Sequence, residues 1–214
     1  MNINGTHISE MEKRYRTTFV NSLPGYKCLH MVGTINVHGG TNLGLFNSIF
    51  HIGADPPLLG MIIRPESTDN DTLHNIEATG AYTFNNVLPE CYDNAHQTSA
   101  RFQSGKSEFK HCGFTEHFIP SFKAPFVSES SINVGMELRE IIPLKINGTT
   151  LIIGEIKQII MDRSLIAVDG HVDHIKAGTV TVTGLDSYFT TNLIERLAFA
   201  KPNEKPWSST GVDA

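Results

Sequence analysis

The chain has 214 residues, of which 40% are hydrophobic and 18% are charged, and its formal net charge is −5 at pH 7. A chain of this size can bury one large core, so we expect a single domain over residues 1–200 and an extended tail over residues 201–214. Lysine and arginine are scattered instead of forming a basic stripe, which argues against nucleic acid as a partner.

The N-terminus has no basic stretch followed by an apolar one, and no apolar run approaches the roughly 20 residues that span a bilayer. We therefore expect a soluble, cytoplasmic protein without membrane contact. Cys28, Cys91 and Cys112 are widely separated and form no Cys-x-x-Cys pair suited to zinc or to a redox dithiol, so free thiols are expected.

Strand patterns dominate the chain. Residues 27–38 predict a half-buried strand bounded by glycines, and the apolar run 58–63 after two prolines predicts a strand buried on both faces. Asn147-Gly148 separates residues 134–146 from 149–161 and predicts a long β-hairpin with a type I′ turn. Gly154, in the second arm, predicts a bulge or a close approach to another backbone or to a ligand.

Helical patterns are fewer and cover residues 72–79, 90–102 and 191–199. Strands with helices between them favour a mainly β fold over repeated βαβ units. The segment 201–207 contains two prolines and cannot continue a helix. It is interpreted either as a disordered terminus or as an arm that docks on a partner subunit.

Several familiar motifs are absent or incomplete. Ser104-Gly105-Lys106-Ser107 resembles the end of a P-loop, but the required first glycine is replaced by Ala100. No Gly-x-Gly-x-x-Gly follows a strand, and Asp169-Gly170-His171-Val172-Asp173-His174 lacks a second ligand pair for a metal site. No catalytic triad is visible, so the sequence predicts neither a catalytic residue nor a metal ligand.

Residues 64–75 suggest an anion site. Arg64 follows the 58–63 run, a polar loop comes next, and a helix is predicted to begin at Asp71 or Thr72. The free N–H groups and the dipole of a helix N-terminus attract phosphate, and an arginine adds charge. With Asp71 as N-cap, Thr72 and Asn75 would face a ligand. An ordinary capped helix after a strand is the alternative at this point.

Two blocks of sequence carry a family resemblance. Residues 42–57, Asn-Leu-Gly-Leu-Phe-Asn-Ser-Ile-Phe-His-Ile-Gly-Ala-Asp-Pro-Pro, and residues 64–75, Arg-Pro-Glu-Ser-Thr-Asp-Asn-Asp-Thr-Leu-His-Asn, resemble the flavin-reductase-like, FMN-binding split-barrel family. Later landmarks are Phe84-Asn85, Ser107-Glu108-Phe109, Cys112-Gly113 and residues 184–188, so the resemblance covers about residues 15–190. It implies a mainly β fold, an FMN-binding split β-barrel (Greek-key barrel) with a few inserted and peripheral α-helices.

The resemblance also implies roles for individual residues. Those expected along the isoalloxazine and ribityl chain of FMN are Asn42, Phe46, Asn47 and Ser48. Those expected to receive the phosphate are Arg64, Ser67, Thr68, Thr72 and Asn75, with Lys106 and Tyr188 near the flavin. The chain departs from the family pattern where Gly44-Leu45 replaces Ala-Pro, Phe50 replaces Asn, Gly53 replaces a small hydroxyl residue and Asn70 replaces a basic residue.

The family resemblance implies an NAD(P)H-dependent FMN oxidoreductase, in which a hydride passes from NADH or NADPH to FMN, and a homodimer with the flavin near the subunit interface. An FMN-binding electron carrier without nicotinamide turnover is the alternative. A barrel that has lost its ligand is the third possibility.

Overall fold

The computed structural model describes residues 1–65, 71–103 and 106–208. In chain order its helices are α1 (Gly5–Glu10), α2 (Lys13–Ser22), α3 (Asp71–Thr79), α4 (Tyr92–Gln97) and α5 (Glu108–His111). Its strands are β1 (Lys27–Cys28), β2 (His30–Ile35), β3 (Thr41–Phe46), β4 (Ile49–Ala54), β5 (Pro57–Ile63), β6 (Ala81–Asn86), β7 (Glu116–Ile119), β8 (Phe122–Val127), β9 (Ile132–Leu144), β10 (Thr149–Met161), β11 (Thr181–Thr183) and β12 (Ser187–Phe189). Predictions that involve residues 66–70, 104–105 and 209–214 lie outside the described residues.

The main sheet has the order β3-β2-β6-β9-β10-β5-β4, and neighbouring strands are antiparallel. The first and last strands of this order, β3 and β4, are joined by only Asn47-Ser48. Because so short a link brings both ends of the order together, the sheet must curve round on itself. Smaller sheets have the orders β1-β11-β12 and β7-β8.

Strand β2 separates two parts of the core. Successive side chains of a strand point to opposite faces, so Met31 packs in one cluster and Val32 in the other. The first cluster also contains Leu43 and Phe109, and the second contains Ile63. Together they fix β3 and the end of β5, the two strands that carry the site described below.

The predicted hairpin is confirmed, but its predicted turn type is wrong. Residues 145–148 form a four-residue loop between Leu144 and Thr149, which pair directly. A type I′ turn needs positive φ at both centres, whereas of Asn147 and Gly148 only Gly148 has it, at 73°. The Asn147 side chain instead accepts hydrogen bonds from the backbone N–H and hydroxyl of Thr149, at 3.1 and 2.8 Å.

Both predictions for Gly154 are confirmed. The pairing of β9 with β10 shifts register between Ile153 and Gly154, as at a bulge. A methyl group on Gly154 would overlap the hydroxyl of Tyr82 and lie 3.2 Å from the carbonyl oxygen of Glu137. The bulge therefore admits the ring of a fully buried tyrosine against the backbone.

The predicted strand over residues 27–38 is divided. Lys27 pairs with Val182 in the small sheet, whereas His30 pairs with Phe46 and Asn86 in the main sheet. The chain changes sheets at the buried Leu29, and the main-sheet strand ends at Ile35.

The run 58–63 is a strand, as predicted, but its two faces are unequal. Met61 and Ile63 are fully buried in the second core cluster, whereas Leu58 and Ile62 are partly exposed. Ile62 lines a cavity.

Two predicted helices differ from the structure. The helix predicted over residues 90–102 is confined to α4, Tyr92–Gln97, and the residues after it line a cavity. The helix predicted over residues 191–199 is wrong, since this segment has no regular structure except a bridge between Leu197 and Ser208. Ile194 and Phe199 are almost fully exposed, and an amphipathic helix needs a packing partner for its apolar face.

The predicted free thiols are present, with Cys91 and Cys112 buried and Cys28 half-buried. Among the described helices, none has the length and apolar character required to cross a membrane.

Candidate flavin site

A cavity of about 510 Å³ lies where β3, the β3–β4 link, the end of β5 and the start of α3 come together. Its volume is within the usual range of ligand pockets. The lining residues predicted from the sequence are Asn42, Phe46, Asn47, Ser48, Arg64 and Thr72. The two sequence blocks therefore meet in one site.

A buried hydrogen bond links these two blocks. The side-chain amide of Asn42 donates to the hydroxyls of Thr72, at 3.0 Å, and Thr34, at 3.1 Å. Thr34 also accepts from the side-chain amide of Asn75 at 3.0 Å. All four residues are buried. The amides of Asn42 and Asn75 thus hold α3 against β2 and β3.

The β3–β4 link is also held by its own side chains. Asn47 donates from its amide to the carbonyl of Gly184 at 2.9 Å, and Ser48 donates from its hydroxyl to the carbonyl of Ile62 at 2.7 Å. The carbonyl of Ser48 accepts from the N–H of Ile62 at 3.2 Å. Because the side chains of Asn47 and Ser48 are engaged in these hydrogen bonds, the groups left to contact a ligand here are the backbone of the link and the ring of the preceding Phe46.

Gly44 shapes the cavity floor. A Cβ at this position would lie 3.0 Å from the ring of Phe46 and 3.3 Å from the hydroxyl of Thr72. Both separations are tighter than usual for carbon, so the departure from alanine at this position leaves space between the two blocks.

Arg64 and the start of α3 form the cationic end of the cavity. Arg64 is exposed, and one of its guanidinium nitrogens is 3.4 Å from the side-chain oxygen of Asn21 in α2. The predicted N-cap role of Asp71 is wrong, because Asp71 is itself the first helical residue. The predicted phosphate ligands Ser67 and Thr68 lie outside the described residues, as does Asn70.

The sequence missed a second cation close to Arg64. Lys27 donates to the backbone carbonyls of Asn21 and Gly184, both at 3.2 Å. Partial burial lowers the pKa of Lys27, and the positive charge of Arg64 lowers it further. Lys27 and Arg64 therefore both contact Asn21, although they are far apart in sequence.

Lys106 lies in an adjoining cavity of about 320 Å³, together with Asn75. The two cavities share Asn42 and Asp71, so they meet at the N-terminus of α3. Glu116 also lines the smaller cavity and accepts a hydrogen bond from Thr41. The structure thus places Lys106 beside the predicted phosphate end and outside the wall of the main cavity.

Tyr188 lies behind the cavity wall. Its hydroxyl is 2.5 Å from Nδ1 of His96, and it is His96 that lines the cavity. Both are brought there by elements distant in sequence, α4 and β12. His96 was not predicted, because nothing in its local sequence marks it.

The segment after α4 and the residue Glu108 were also missed. Residues 98–102, which include Arg101, line the cavity. The sequence did not predict this role because the helix was predicted to extend to residue 102. Glu108 accepts from the N–H of Leu43 at 3.0 Å, and burial raises the pKa of its carboxyl group, with the charge of Asp71 adding to the effect. Glu108 is therefore positioned to hold β3 against α5.

The chemistry of the lining fits a flat ligand that carries an anionic group. The apolar part of the wall is formed by Leu29, Leu43, Leu45, Phe46, Ile62, Phe102, Val182 and Leu185. Arg64 and the N-terminus of α3 lie on the same cavity and suit a phosphate. A flavin mononucleotide has both features, an aromatic ring system and a phosphate, and Gly44 leaves room between the blocks that would hold it.

Comparison with known proteins agrees with this class of site. The family model described as "Flavin reductase like domain" matches residues 28–176, which is well over half of the chain. The protein therefore belongs to the flavin-reductase-like family. No curated protein matches the sequence.

Solved structures show the same fold. A protein of Shewanella frigidimarina NCIMB 400, assigned as a flavin reductase with a split barrel domain, is 42% identical, with a TM-score of 0.90 over 94% of this chain and 100% of that chain. Nitrilotriacetate monooxygenase component B of Bacillus cereus is 17% identical, with a TM-score of 0.81 over 92% and 98% of the two chains. The 2-nitrobenzoate 2-nitroreductase of Pseudomonas fluorescens is 20% identical, with a TM-score of 0.79 over 97% and 99%.

The predicted family and the predicted mainly β, split-barrel fold are thus confirmed. Family membership supports a flavin-related oxidoreductase function and a flavin cofactor.

Proposed function

We propose that this protein is a flavin reductase that binds FMN in the main cavity and transfers a hydride to it from NADH or NADPH. The observation that carries the proposal is the cavity itself, in which an apolar wall adjoins Arg64 and the N-terminus of α3. The Asn42–Thr72 hydrogen bond holds these two parts together.

The residues of the chain would divide the work of binding. Phe46 and the backbone of the β3–β4 link would contact the isoalloxazine, and Arg64 and Thr72 would bind the phosphate. Asn75 and Lys106, in the adjoining cavity, would act where the two cavities meet at Asn42. When bound, FMN supplies the hydride-accepting chemistry, and the protein supplies position, charge and exclusion of water.

The proposal includes a homodimer with the flavin near the subunit interface. Its support is the exposed apolar surface of the C-terminal segment, where Ile194 and Phe199 are almost fully exposed. Apolar surface of this kind, when contiguous, marks sites of protein association.

The test is a titration followed by anaerobic mixing. Purified protein is titrated with FMN, and with riboflavin as a control ligand that lacks the phosphate; we expect binding of one FMN per chain and weaker binding of riboflavin. The complex is then mixed with NADH or NADPH without oxygen, and loss of the flavin absorbance near 450 nm is followed, roughly within seconds for a catalytic reaction.

The outcomes separate the candidate functions. Bleaching by either nucleotide supports the reductase. Binding of FMN without bleaching would contradict it in favour of an FMN-binding electron carrier. Protein that takes up no FMN would contradict both.

A further inference from the structure

His96 and Tyr188 form a hydrogen-bonded pair at the wall of the main cavity. His96 lies in the last turn of α4, and its Nδ1 is 2.5 Å from the Tyr188 hydroxyl. The two rings meet edge to face, with centroids 5.8 Å apart and an interplanar angle of 89°. Tyr188 pairs across the small sheet with Val182, which lines the same cavity.

Tyr188 is held in place from several sides. Its ring contacts that of Tyr92 at 5.4 Å and packs against the first core cluster. Burial raises the pKa of the Tyr188 hydroxyl, and the charge of Asp186 adds to this effect. The hydroxyl therefore stays neutral, and its oxygen can accept a hydrogen bond from Nδ1–H of a protonated imidazole.

This contact distinguishes the two ring nitrogens of His96. Nδ1 is the nitrogen that contacts Tyr188, so Nε2 is the nitrogen left to exchange a proton with a ligand, and no described residue bonds to it. The His96 ring is exposed, so Nε2 can also exchange protons with water. Imidazole is the side chain whose ordinary pKa suits proton exchange near neutral pH.

The proposed reaction can use such a group. A hydride from NAD(P)H carries two electrons and one proton, and forming neutral reduced flavin consumes one further proton. Among the other ionisable side chains on the wall, those of Arg64 and Arg101 are guanidinium groups, which do not give up a proton in proteins, and Glu108 is engaged by the N–H of Leu43.

We propose that His96 is a catalytic acid of this protein and that Tyr188 is its positioning residue, an inference that rests on the proposed function. The C–H bond of the nicotinamide breaks as the hydride leaves, and NAD(P)⁺ is released. With FMN bound and the hydride delivered to it, the Nε2–H bond of a protonated His96 would break and His96 would supply that proton to the flavin. The ring is left neutral with its remaining proton on Nδ1, bonded to Tyr188, and it regains the Nε2 proton from water.

Three variants test the roles. His96→Asn removes the acid, Tyr188→Phe removes only the hydroxyl, and Tyr92→Phe removes the hydroxyl of the neighbouring tyrosine as a matched control. All are expected to bind FMN within about twofold of the wild type. Anaerobic reduction by NADH is expected to slow about 100-fold in His96→Asn and about tenfold in Tyr188→Phe, with Tyr92→Phe unchanged.

The pH profile of reduction is the second readout. The ionisable groups around the pair are Tyr92, Asp186 and the cavity residue Arg101. We expect the wild-type rate to fall as the pH is raised, because a reaction that uses a protonated acid slows when that proton is lost. This limb of the profile is expected to disappear in His96→Asn.

A third readout does not depend on activity. Nitrogen NMR of flavin-free protein at alkaline pH should show the His96 ring with its proton on Nδ1. Tyr188→Phe should shift this toward the Nε2–H form, whereas Tyr92→Phe should not. A purely structural role of Tyr188 would leave the tautomer unchanged.

If His96→Asn keeps the wild-type rate and pH profile, or if Tyr188→Phe leaves the tautomer unchanged, these roles are overturned. The proposed function is still supported in that case, provided that the wild type binds FMN and is reduced. Failure of the wild type to bind FMN would overturn both.

Discussion

The side-chain amide of Asn42 donates to the hydroxyl of Thr72 at 3.0 Å, across 30 residues of sequence. Asn42 lies in β3 and Thr72 in the first turn of α3, so this bond connects the part of the site expected to hold the rings with the part expected to hold the phosphate. Both side chains are buried, and the geometry of the site depends on their being satisfied.

Loss of the Thr34 hydroxyl, which accepts a hydrogen bond from the same Asn42 amide, should destabilise the protein. In Thr34→Val, the buried amides of Asn42 and Asn75 both lose their shared acceptor. A stranded buried polar group costs about 1–3 kcal/mol, so we expect the free energy of unfolding to fall by about that amount. Urea unfolding measures it, and Thr34→Ser, which keeps the hydroxyl, should retain most of the stability.

Arg64→Ala should weaken FMN binding without affecting the fold, since Arg64 is exposed and lies at the end of β5. Removal of one charged hydrogen bond to a phosphate corresponds to about a tenfold higher dissociation constant at low salt. Fluorescence titration with FMN measures the loss, and Arg64→Lys should restore part of it. Equal weakening for riboflavin, which has no phosphate, would contradict the assigned role.

Tyr82→Phe should leave stability unchanged or raise it by up to about 1 kcal/mol. The hydroxyl of Tyr82 is buried without a hydrogen-bond partner among the described residues, and burial raises its pKa. Removing an unsatisfied buried hydroxyl relieves a desolvation cost. Urea unfolding is the measurement, and a clear loss of stability would show that the hydroxyl has a partner.

Gly154→Ala should destabilise the protein strongly, because its methyl group would overlap the Tyr82 hydroxyl. In the Tyr82→Phe background the same substitution should cost less, since the atom it meets first is gone. A double-mutant cycle measured by urea unfolding gives this coupling. If the effects of Gly154→Ala and Tyr82→Phe on the free energy of unfolding simply add, the Tyr82 hydroxyl is not the cause of the destabilisation.

Stability should decrease as the pH falls below about 6.5, because of His30. Burial lowers the pKa of His30 to about 4, and the charge of His174 lowers it further. Between pH 6.5 and about 4 the unfolded chain therefore takes up a proton at His30 while the folded state does not. The free energy of unfolding is thus highest above pH 6.5 with respect to this group, and it decreases as the pH falls toward 4.

Urea unfolding at pH 7.5 and pH 5, compared between the wild type and His30→Gln, checks this prediction. The wild type should lose up to about 1.4 kcal/mol more per pH unit across this window than the variant does. Equal losses would assign the pH dependence to other groups, among them His174, whose charge acts on His30.

Deleting the residues after Ala200 should weaken the predicted homodimer. The C-terminal segment is fixed to the rest of the chain by an ion pair of Arg196 with Asp169, at 2.6 Å. The deletion removes Trp207, whose carbonyl accepts from the N–H of Ala198 at 3.0 Å. Sedimentation measures the mass in solution, and Ile146→Ser is a control at an exposed apolar residue in the distant hairpin loop. An unchanged dimer would count against the arm.

The local patterns of the sequence determined the longest strands and one helix of the site. The long β9–β10 hairpin, β5 and α3 follow from apolar periodicity and turn residues, which act over short distances in the chain. The same reasoning failed for residues 191–199, because an amphipathic pattern forms a helix only where its apolar face has something to pack against.

The sequence by itself determined the two blocks of the candidate site, and their order is enough to identify the family. Only the tertiary structure brought Asn42 to Thr72, Lys27 beside Arg64 at Asn21, and Tyr188 to His96. Asn42 and Thr72 are 30 positions apart in the sequence, and His96 and Tyr188 are 92 positions apart. Lys27 and Arg64 are connected through Asn21, which lies in α2. Curvature of the sheet and docking of the helices decide these contacts, and no local pattern encodes either.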